Sequence, residues 1–302
     1  MSDIKDTVAD FKSGFVAIVG APNVGKSTLL NQMLGEKISI TSKKPQTTRN
    51  RILGVVHRPC SQLVFIDTPG IHKAKRPLNI RIVEAALSAL GNVDIVLVMV
   101  DVANPDPDSE DFLVKKLNKI KHPVVLALNK TDLVKKPVLL SIIDKWAKAY
   151  SFEAIIPVSA ILGDKIEELI DAMEALLPKG PPFFPEDTLT DLPERFFAAE
   201  MIREQVFRLT GQEIPYSTAV TIDSFSQEKK GDLVKIHATI HVERMSQKGM
   251  IIGKNGSKLK MIGTEARKEI EQMVGIKVFL KIFVRVHKNW GKDTKALRKF
   301  GY

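Results

Sequence analysis

With 302 residues, 44% of them hydrophobic, the chain can bury a large core and exceeds the usual size of one domain, so two domains are expected. Its longest apolar run is Ile95 to Val100, far short of the roughly twenty residues of a membrane span, and MSDIKDTVADFKSG at the N-terminus lacks the regions of a signal peptide. A formal net charge of +10 turns attention to polyanionic partners.

That charge is unevenly placed. From Arg244 to Tyr302 there are 15 Lys/Arg and 4 Asp/Glu, a local +11, so the excess belongs to the last 59 residues. Nucleic acid is the favoured partner for that part, ahead of an anionic membrane. The single cysteine, Cys60, has no partner in the chain for a disulfide or a thiolate metal site, which suits a reducing, cytoplasmic setting.

In chain order, strand-like runs occupy 15–19, 62–66, 95–100, 124–128 and 154–158, mostly separated by helical patterns. The segment 50–57 joins 61–67 through Arg58-Pro59-Cys60, the pattern of an antiparallel hairpin at a sheet edge. This order predicts an α/β fold: a doubly wound, mainly parallel sheet with helices on both faces, over residues 1–177. Residues 178–194 carry five prolines and read as a semi-rigid linker. Residues 195–302 then follow an α, β, β, α, α, β order, that of a smaller α+β domain with a basic tail.

The strand at 15–19 runs into Gly20-Ala21-Pro22-Asn23-Val24-Gly25-Lys26-Ser27, with Thr28 next, and an amphipathic helix pattern follows at once. This is the GxxxxGK[ST] phosphate loop of P-loop NTPases in its proper context. Glycines let the backbone wrap a phosphate, successive N–H groups and the helix N-terminus supply positive potential, Lys26 reaches the β and γ phosphates, and the Ser27 hydroxyl can ligate Mg²⁺.

Three further motifs end later strands. Asp67-Thr68-Pro69-Gly70 offers a carboxylate for Mg²⁺ through water and a Gly70 N–H to sense the γ-phosphate. Asn129-Lys130-Thr131-Asp132 offers the Asp132 carboxylate to the two donors on the guanine N1/N2 edge, a pair that adenine lacks. Ser159-Ala160, followed by Ile161, offers a backbone N–H to guanine O6. All lie at carboxyl ends of strands, where open α/β sheets bind ligands.

This series over residues 14–177 resembles the translation-factor-class GTPase domains of the Era and TrmE kind. The resemblance implies a switch threonine in the loop before the hairpin, matched by Thr47 and Thr48, with Thr48 favoured as an Mg²⁺ ligand beside Ser27 and Asp67. Where Ras-like GTPases carry a water-orienting glutamine after DxxG, this chain has Ile71. Some relatives with a hydrophobic residue there use K⁺, held by the P-loop asparagine, here Asn23. The expected reaction is slow in-line attack of water on the γ-phosphate, catalysed by position and electrostatics through Asn23, Lys26, Thr48 and Gly70.

In the second domain, Ile252-Gly253-Lys254-Asn255-Gly256 contains GxxG, and Lys258 and Lys260 follow in a basic helix. Such a loop lets a nucleic-acid backbone approach closely, with lysines and Asn255 at the phosphates. The region 195–288 resembles a type II KH domain. Phe279 and Phe283 alternate with basic residues on one strand, which suits either a stacking platform or, more commonly, helix cover over a sheet. His237 and His241 read as packed or solvated rather than metal-binding, and Asn289 to Tyr302 as a basic terminal helix that extends the RNA surface.

Together the two halves resemble the Era family over nearly the whole chain. The resemblance implies a cytoplasmic, monomeric GTPase that binds GTP or GDP with Mg²⁺, binds the 3′ end of small-subunit ribosomal RNA, and assists assembly of the small ribosomal subunit, with peripheral contact at the membrane a further option. Ordering of the 37–51 and 71–81 loops by the γ-phosphate is the expected link between the halves. The competing readings are a membrane-surface GTPase whose basic tail binds anionic lipid, and a nucleotide kinase, which NKTD disfavours.

Overall fold

The computed structural model describes residues 10–40, 52–68, 70, 91, 93–210, 218–228, 232–290, 293, 296–297 and 300. Thr47, Thr48, Pro69 and Ile71 lie outside them, as does most of the two expected switch loops. The described residues up to Asp191 form, in the main, one compact unit, and those from Leu192 onward a second.

The first unit is built on a sheet of β1 (Lys12–Gly20), β2 (Ile52–Arg58), β3 (Ser61–Asp67), β4 (Ile95–Asp101), β5 (Val124–Asn129) and β6 (Ala154–Pro157), ordered β2-β3-β1-β4-β5-β6 among the described residues. β1 runs parallel to β3 and β4, and β4, β5 and β6 continue the parallel series. β2 alone is antiparallel, closing the edge as a hairpin with β3. Its turn carries the exposed, free Cys60.

β1, β3, β4 and β5 are almost wholly buried, as parallel strands covered on both faces must be. Helix α1 (Lys26–Leu34) buries Leu29, Leu30 and Met33, at the i, i+1, i+4 spacing of one helix face. Helix α2 (Pro107–Leu117) starts with Asp106 accepting from the Ser109 N–H at 3.2 Å and with Pro107 in its first turn, a pairing of acceptor and preset φ that favours a helix start. Helices α3 (Lys136–Ala149) and α4 (Ile166–Leu176) are the further α-helices of this unit among the described residues. Trp146 of α3 joins the core of Val96, Val98, Leu126 and Leu128.

The proline-rich stretch does not run free as a spacer. Ser13 donates its N–H to the Pro178 carbonyl and its hydroxyl to that of Pro181. The Gln62 side chain accepts from the N–H groups of Phe183 and Phe184 at 2.7 and 3.0 Å and donates to the Phe184 carbonyl at 2.8 Å. Val55 N–H donates to the Leu189 carbonyl at 2.9 Å. The segment forms no helix, as expected, and several of its backbone groups bond instead to residues of β1, β2 and β3.

The second unit holds α5 (Glu194–Leu209), β7 (Ala219–Gln227), β8 (Leu233–Val242), α6 (Met245–Ile252), α7 (Ser257–Val274) and β9 (Lys277–Val286). Its sheet, ordered β7-β8-β9, pairs β7 with β8 antiparallel through a bulge between Ile222 and Ser224, and β8 with β9 parallel. Val234, Ile236, Ala238, Ile240 and Val242 of β8 meet Ala198, Ile202 and Val206 of α5, Ile251 of α6, and Ile262, Ala266 and Ile270 of α7 in one core.

Two expectations for this unit are corrected. Phe279 and Phe283 are not under helix cover: they are 50% and 42% exposed, because the helices occupy the other face of the sheet. The terminal segment is not simply an added basic surface. Trp290, Leu297 and Phe300 are buried, and the Phe300 ring stacks on His241 at 4.3 Å between centroids. His241 Nε2 also lies 2.9 Å from Thr221 Oγ1, so this histidine is packed, as its sequence context suggested.

Candidate functional site

Parallel pairing delivers the carboxyl ends of β1, β3, β4, β5 and β6 to one edge of the sheet. Ile18 is in register with Asp67, Gly20 with Met99, Asp101 with Asn129 and Leu128 with Pro157. The residues from Gly20 to Thr28 therefore gather with Asp67, Gly70, Asn129, Lys130, Asp132, Ser159, Ala160 and Ile161 along that edge.

The loop Ala21–Gly25 is shaped by residue size. A Cβ on Gly20 would lie 2.4 Å from the Met99 carbonyl oxygen, and one on Gly25 would lie 2.3 Å from Asn129 Nδ2. Gly25 also has φ 104°, a conformation open to glycine at little cost. Lys26, at the start of α1, is buried and folds back to donate to the Gly20 and Ala21 carbonyls at 3.1 and 2.9 Å. Burial lowers its ammonium to about 8, and the Asp67 carboxylate acts against that shift. A further negative charge beside this ammonium, such as a phosphate, would favour its charged form.

Ser27 Oγ donates to Asp67 Oδ2 at 2.8 Å. Two hard oxygen donors in hydrogen-bond contact, one charged, are the set that suits Mg²⁺. Ser39, 1% exposed, donates to the same Asp67 oxygen at 3.1 Å. Asn31 on α1 fixes Ser39 in turn, accepting from its N–H at 2.8 Å and donating to its carbonyl at 2.7 Å. Sequence reasoning passed over Ser39 and Asn31 because neither belongs to a spaced motif. Gly70 reaches the phosphate loop closely enough that a Cβ there would lie 2.8 Å from Pro22.

In the Asn129-Lys130-Thr131-Asp132 motif, Asn129 is 2% exposed. Its Nδ2 donates to the Val24 carbonyl at 2.7 Å and its Oδ1 accepts from the Ala160 N–H at 2.9 Å. The side chain thus ties two loops together, and of the backbone N–H groups of the Ser159-Ala160 motif, from which one is expected at guanine O6, that of Ala160 donates to Asn129. Asp132 Oδ1 accepts from the Ser159 hydroxyl at 2.6 Å, which fixes the carboxylate. Lys130, with φ 68°, donates to the Asn23 carbonyl at 3.0 Å and pairs with Asp101. Asp101 was missed in the sequence, although it ends the strand IVLVMVD as Asp67 and Asn129 end theirs. Ile161 is 74% exposed at the rim.

In the second unit, the GxxG loop joins α6 to α7 through a short 3-10 turn, Lys254–Gly256. Gly253 has φ 71° and a Cβ there would lie 2.8 Å from Lys258 Cβ; Gly256 has φ 77°. Asn255 takes φ 51° between them. Ile252 is half-buried against the core, whereas Lys254, Asn255 and Lys260 are exposed and Lys258 is partly so. The turn thus presents its backbone and cations outward, as a phosphate backbone requires.

The two units correspond to two family models. Residues 15–130 match a 50S ribosome-binding GTPase domain and residues 213–291 a KH domain. GTPase Era of Geotalea uraniireducens (strain Rf4) is 53% identical over 296 residues, 98% of this chain and 99% of that protein. GTPase Era of Geobacter sp. (strain M21) is 55% identical over 97% of this chain and 98% of its own. Two crystal structures at 40% identity, each spanning 97% of this chain and 99% of theirs, superpose closely. One is a point variant of Aquifex aeolicus Era bound to GDP·AlF₄⁻, at a TM-score of 0.92; the other is Era in complex with MgGDPNP and nucleotides 1506–1542 of 16S ribosomal RNA, at 0.93. With a P-loop edge in one unit, a GxxG turn in the other and likeness running almost end to end, the chain belongs to the Era family of GTP hydrolases.

Proposed function

We propose that this GTPase binds the 3′ end of small-subunit ribosomal RNA through the GxxG loop, with nucleotide state controlling that binding, and that it serves assembly of the small ribosomal subunit in the cytoplasm as a monomer. The GTPase domain is read as residues 1–177 and the RNA-binding domain as 195–302. The observation that carries the reading is the outward GxxG turn in a KH unit of a chain that is 40% identical to an Era protein solved with 16S ribosomal RNA nucleotides.

In the nucleotide site, the N–H groups of Gly20 to Thr28 and the Lys26 ammonium serve the phosphates. Asp132 accepts from guanine N1 and N2, and Ser159, Ala160 and Ile161 close around the base beside Asn129 and Lys130. Ser27 and Asp67 would hold Mg²⁺, which when bound neutralises charge on the β and γ phosphates; Thr48, favoured over Thr47, would complete that set. Gly70 would sense the γ-phosphate, and Asn23 would ligate K⁺ if the monovalent ion is used. Among the described residues no helix is long and apolar enough to cross a membrane; contact at the membrane would be peripheral, through the basic C-terminal region.

The test is binding of the full chain to a 3′-terminal small-subunit ribosomal RNA fragment and to a scrambled single strand, each with GTP analogue and with GDP, at two salt concentrations. Tighter binding to the true fragment with the analogue is expected. Equal and steeply salt-dependent binding to both strands would reduce the tail to a cationic surface. Retention on anionic vesicles in Gly253→Asp and Gly256→Asp variants, without RNA binding by the parent, would favour the lipid reading.

A further inference from the structure

Among the described residues, helices α5, α6 and α7 pack on one face of the second unit's sheet and leave the other face of β9 open. Strand β9 points Lys277, Phe279, Lys281, Phe283 and Arg285 to that face, all exposed. Beside them in register on β8, exposed Lys235 lies next to Phe279 and partly exposed His237 next to Lys281, whereas Thr239 and His241, next to Phe283 and Arg285, are buried. The face is bounded. At one end Phe300 stacks on His241, and along β7 the acids are engaged, Asp223 accepting from Thr239 at 2.6 Å and Glu228 pairing with Lys235.

We propose that this open face is a second RNA surface, which stacks unpaired bases on Phe279 and Phe283 while Lys277, Lys281 and Arg285 meet the phosphates. Four residues along a strand set the two rings roughly 13 Å apart, so each can take its own base. Lys281 lies between them, and its Nζ is 5.1 Å from the centre of the Phe283 ring, where it can reach the phosphate of a nucleotide stacked there. Exposed aromatics interleaved with cations on a flat sheet are the stacking platform of single-strand binders. An apolar protein partner would leave the three cations without counter-charge. A base's π-face and its phosphate satisfy both halves of the pattern. The helices that carry the GxxG loop pack on the opposite face, so a strand longer than the loop's groove can engage both sites. This inference extends the RNA-binding reading and does not depend on the loop being the primary site.

The full chain is irradiated with single strands of about 20 nucleotides carrying 4-thiouridine, and the adducts are mapped by peptide mass. Adducts are expected at Phe279 and Phe283 in addition to residues 251–258. The double variant Phe279→Ala/Phe283→Ala, with both rings already exposed, should weaken binding of that strand on the order of tenfold and leave a strand of about four nucleotides unchanged. Phe279→Tyr/Phe283→Tyr should restore it, and Lys281→Gln should lower the salt slope by about one. Adducts on β9 without adducts at the loop would keep this proposal and remove the groove reading. Adducts confined to 251–258 with unchanged affinity in the alanine variant would overturn the proposal. So would loss of binding to phosphatidylglycerol vesicles in that variant with no RNA adduct on β9, which would make the face a membrane contact.

Discussion

Asn129, at the end of β5, donates from Nδ2 to the Val24 carbonyl at 2.7 Å, so the Asn129–Asp132 motif holds part of the Gly20–Ser27 loop in place. Its other amide atom holds Ala160. Asn129→Ala leaves a buried carbonyl and a buried N–H without these partners, a cost of about 1–3 kcal/mol each where water cannot enter. A lower Tm and at least tenfold weaker binding of both GDP and GTP are expected from differential scanning fluorimetry and fluorescent-nucleotide titration. Unchanged values in both would contradict the bridging role.

Asp132 is oriented by the Ser159 hydroxyl at 2.6 Å. Asp132→Asn replaces an acceptor by a donor opposite guanine N2 and should shift preference from GTP toward xanthosine triphosphate. Ser159→Ala keeps the carboxylate and loosens its aim, so guanine affinity should fall several-fold, about 1 kcal/mol for one hydrogen bond, without that shift. Competition binding with the two triphosphates separates these outcomes.

Lys26 supplies a pH dependence. Burial lowers it to about 8 from an ordinary 10.5, so between those values the unfolded chain binds the extra proton. The lysine's contribution to nucleotide-free stability therefore rises with pH through that window. Nucleotide has the opposite preference, because phosphates favour the charged ammonium. Binding above pH 8 should take up a proton, and affinity should fall by up to about tenfold per pH unit. Calorimetry in buffers of different ionisation enthalpy reads the proton directly; no buffer dependence at pH 9 would refute the linkage.

Ser39 shares Asp67 Oδ2 with Ser27 and is itself held by Asn31. Ser39→Ala should raise the Mg²⁺ concentration needed for tight nucleotide binding about three- to tenfold, the equivalent of about 1 kcal/mol, while binding in EDTA stays unchanged. Equal losses with and without Mg²⁺ would mean that Ser39 merely packs.

Potassium tests the reading of Asn23. Hydrolysis should be faster in KCl than in NaCl, and Asn23→Ala should remove the difference; its backbone carbonyl, which accepts from Lys130, is retained in that variant. Equal parental rates in the two salts would exclude the ion.

Local chemistry and spacing made much of this protein legible in its sequence. Strand-ending motifs such as Gly20–Ser27 and Asn129–Asp132 could be found because loop geometry and base recognition each require particular residue types at fixed spacing. Alternation of Val278, Leu280, Ile282, Val284 and Val286 with Lys277 to Arg285 likewise identified a two-faced strand. What alternation leaves open is which face the helices cover, since either set can be packed until α5, α6 and α7 choose a side. Only the tertiary structure decided that Phe279 and Phe283 lie open, that Phe300 covers His241, and that Gln62 pins the proline-rich stretch to the hairpin edge. The same holds for Ser39, whose hydroxyl reaches Asp67 across 28 residues of chain. Such contacts depend on how the elements pack, which no local pattern of side chains encodes.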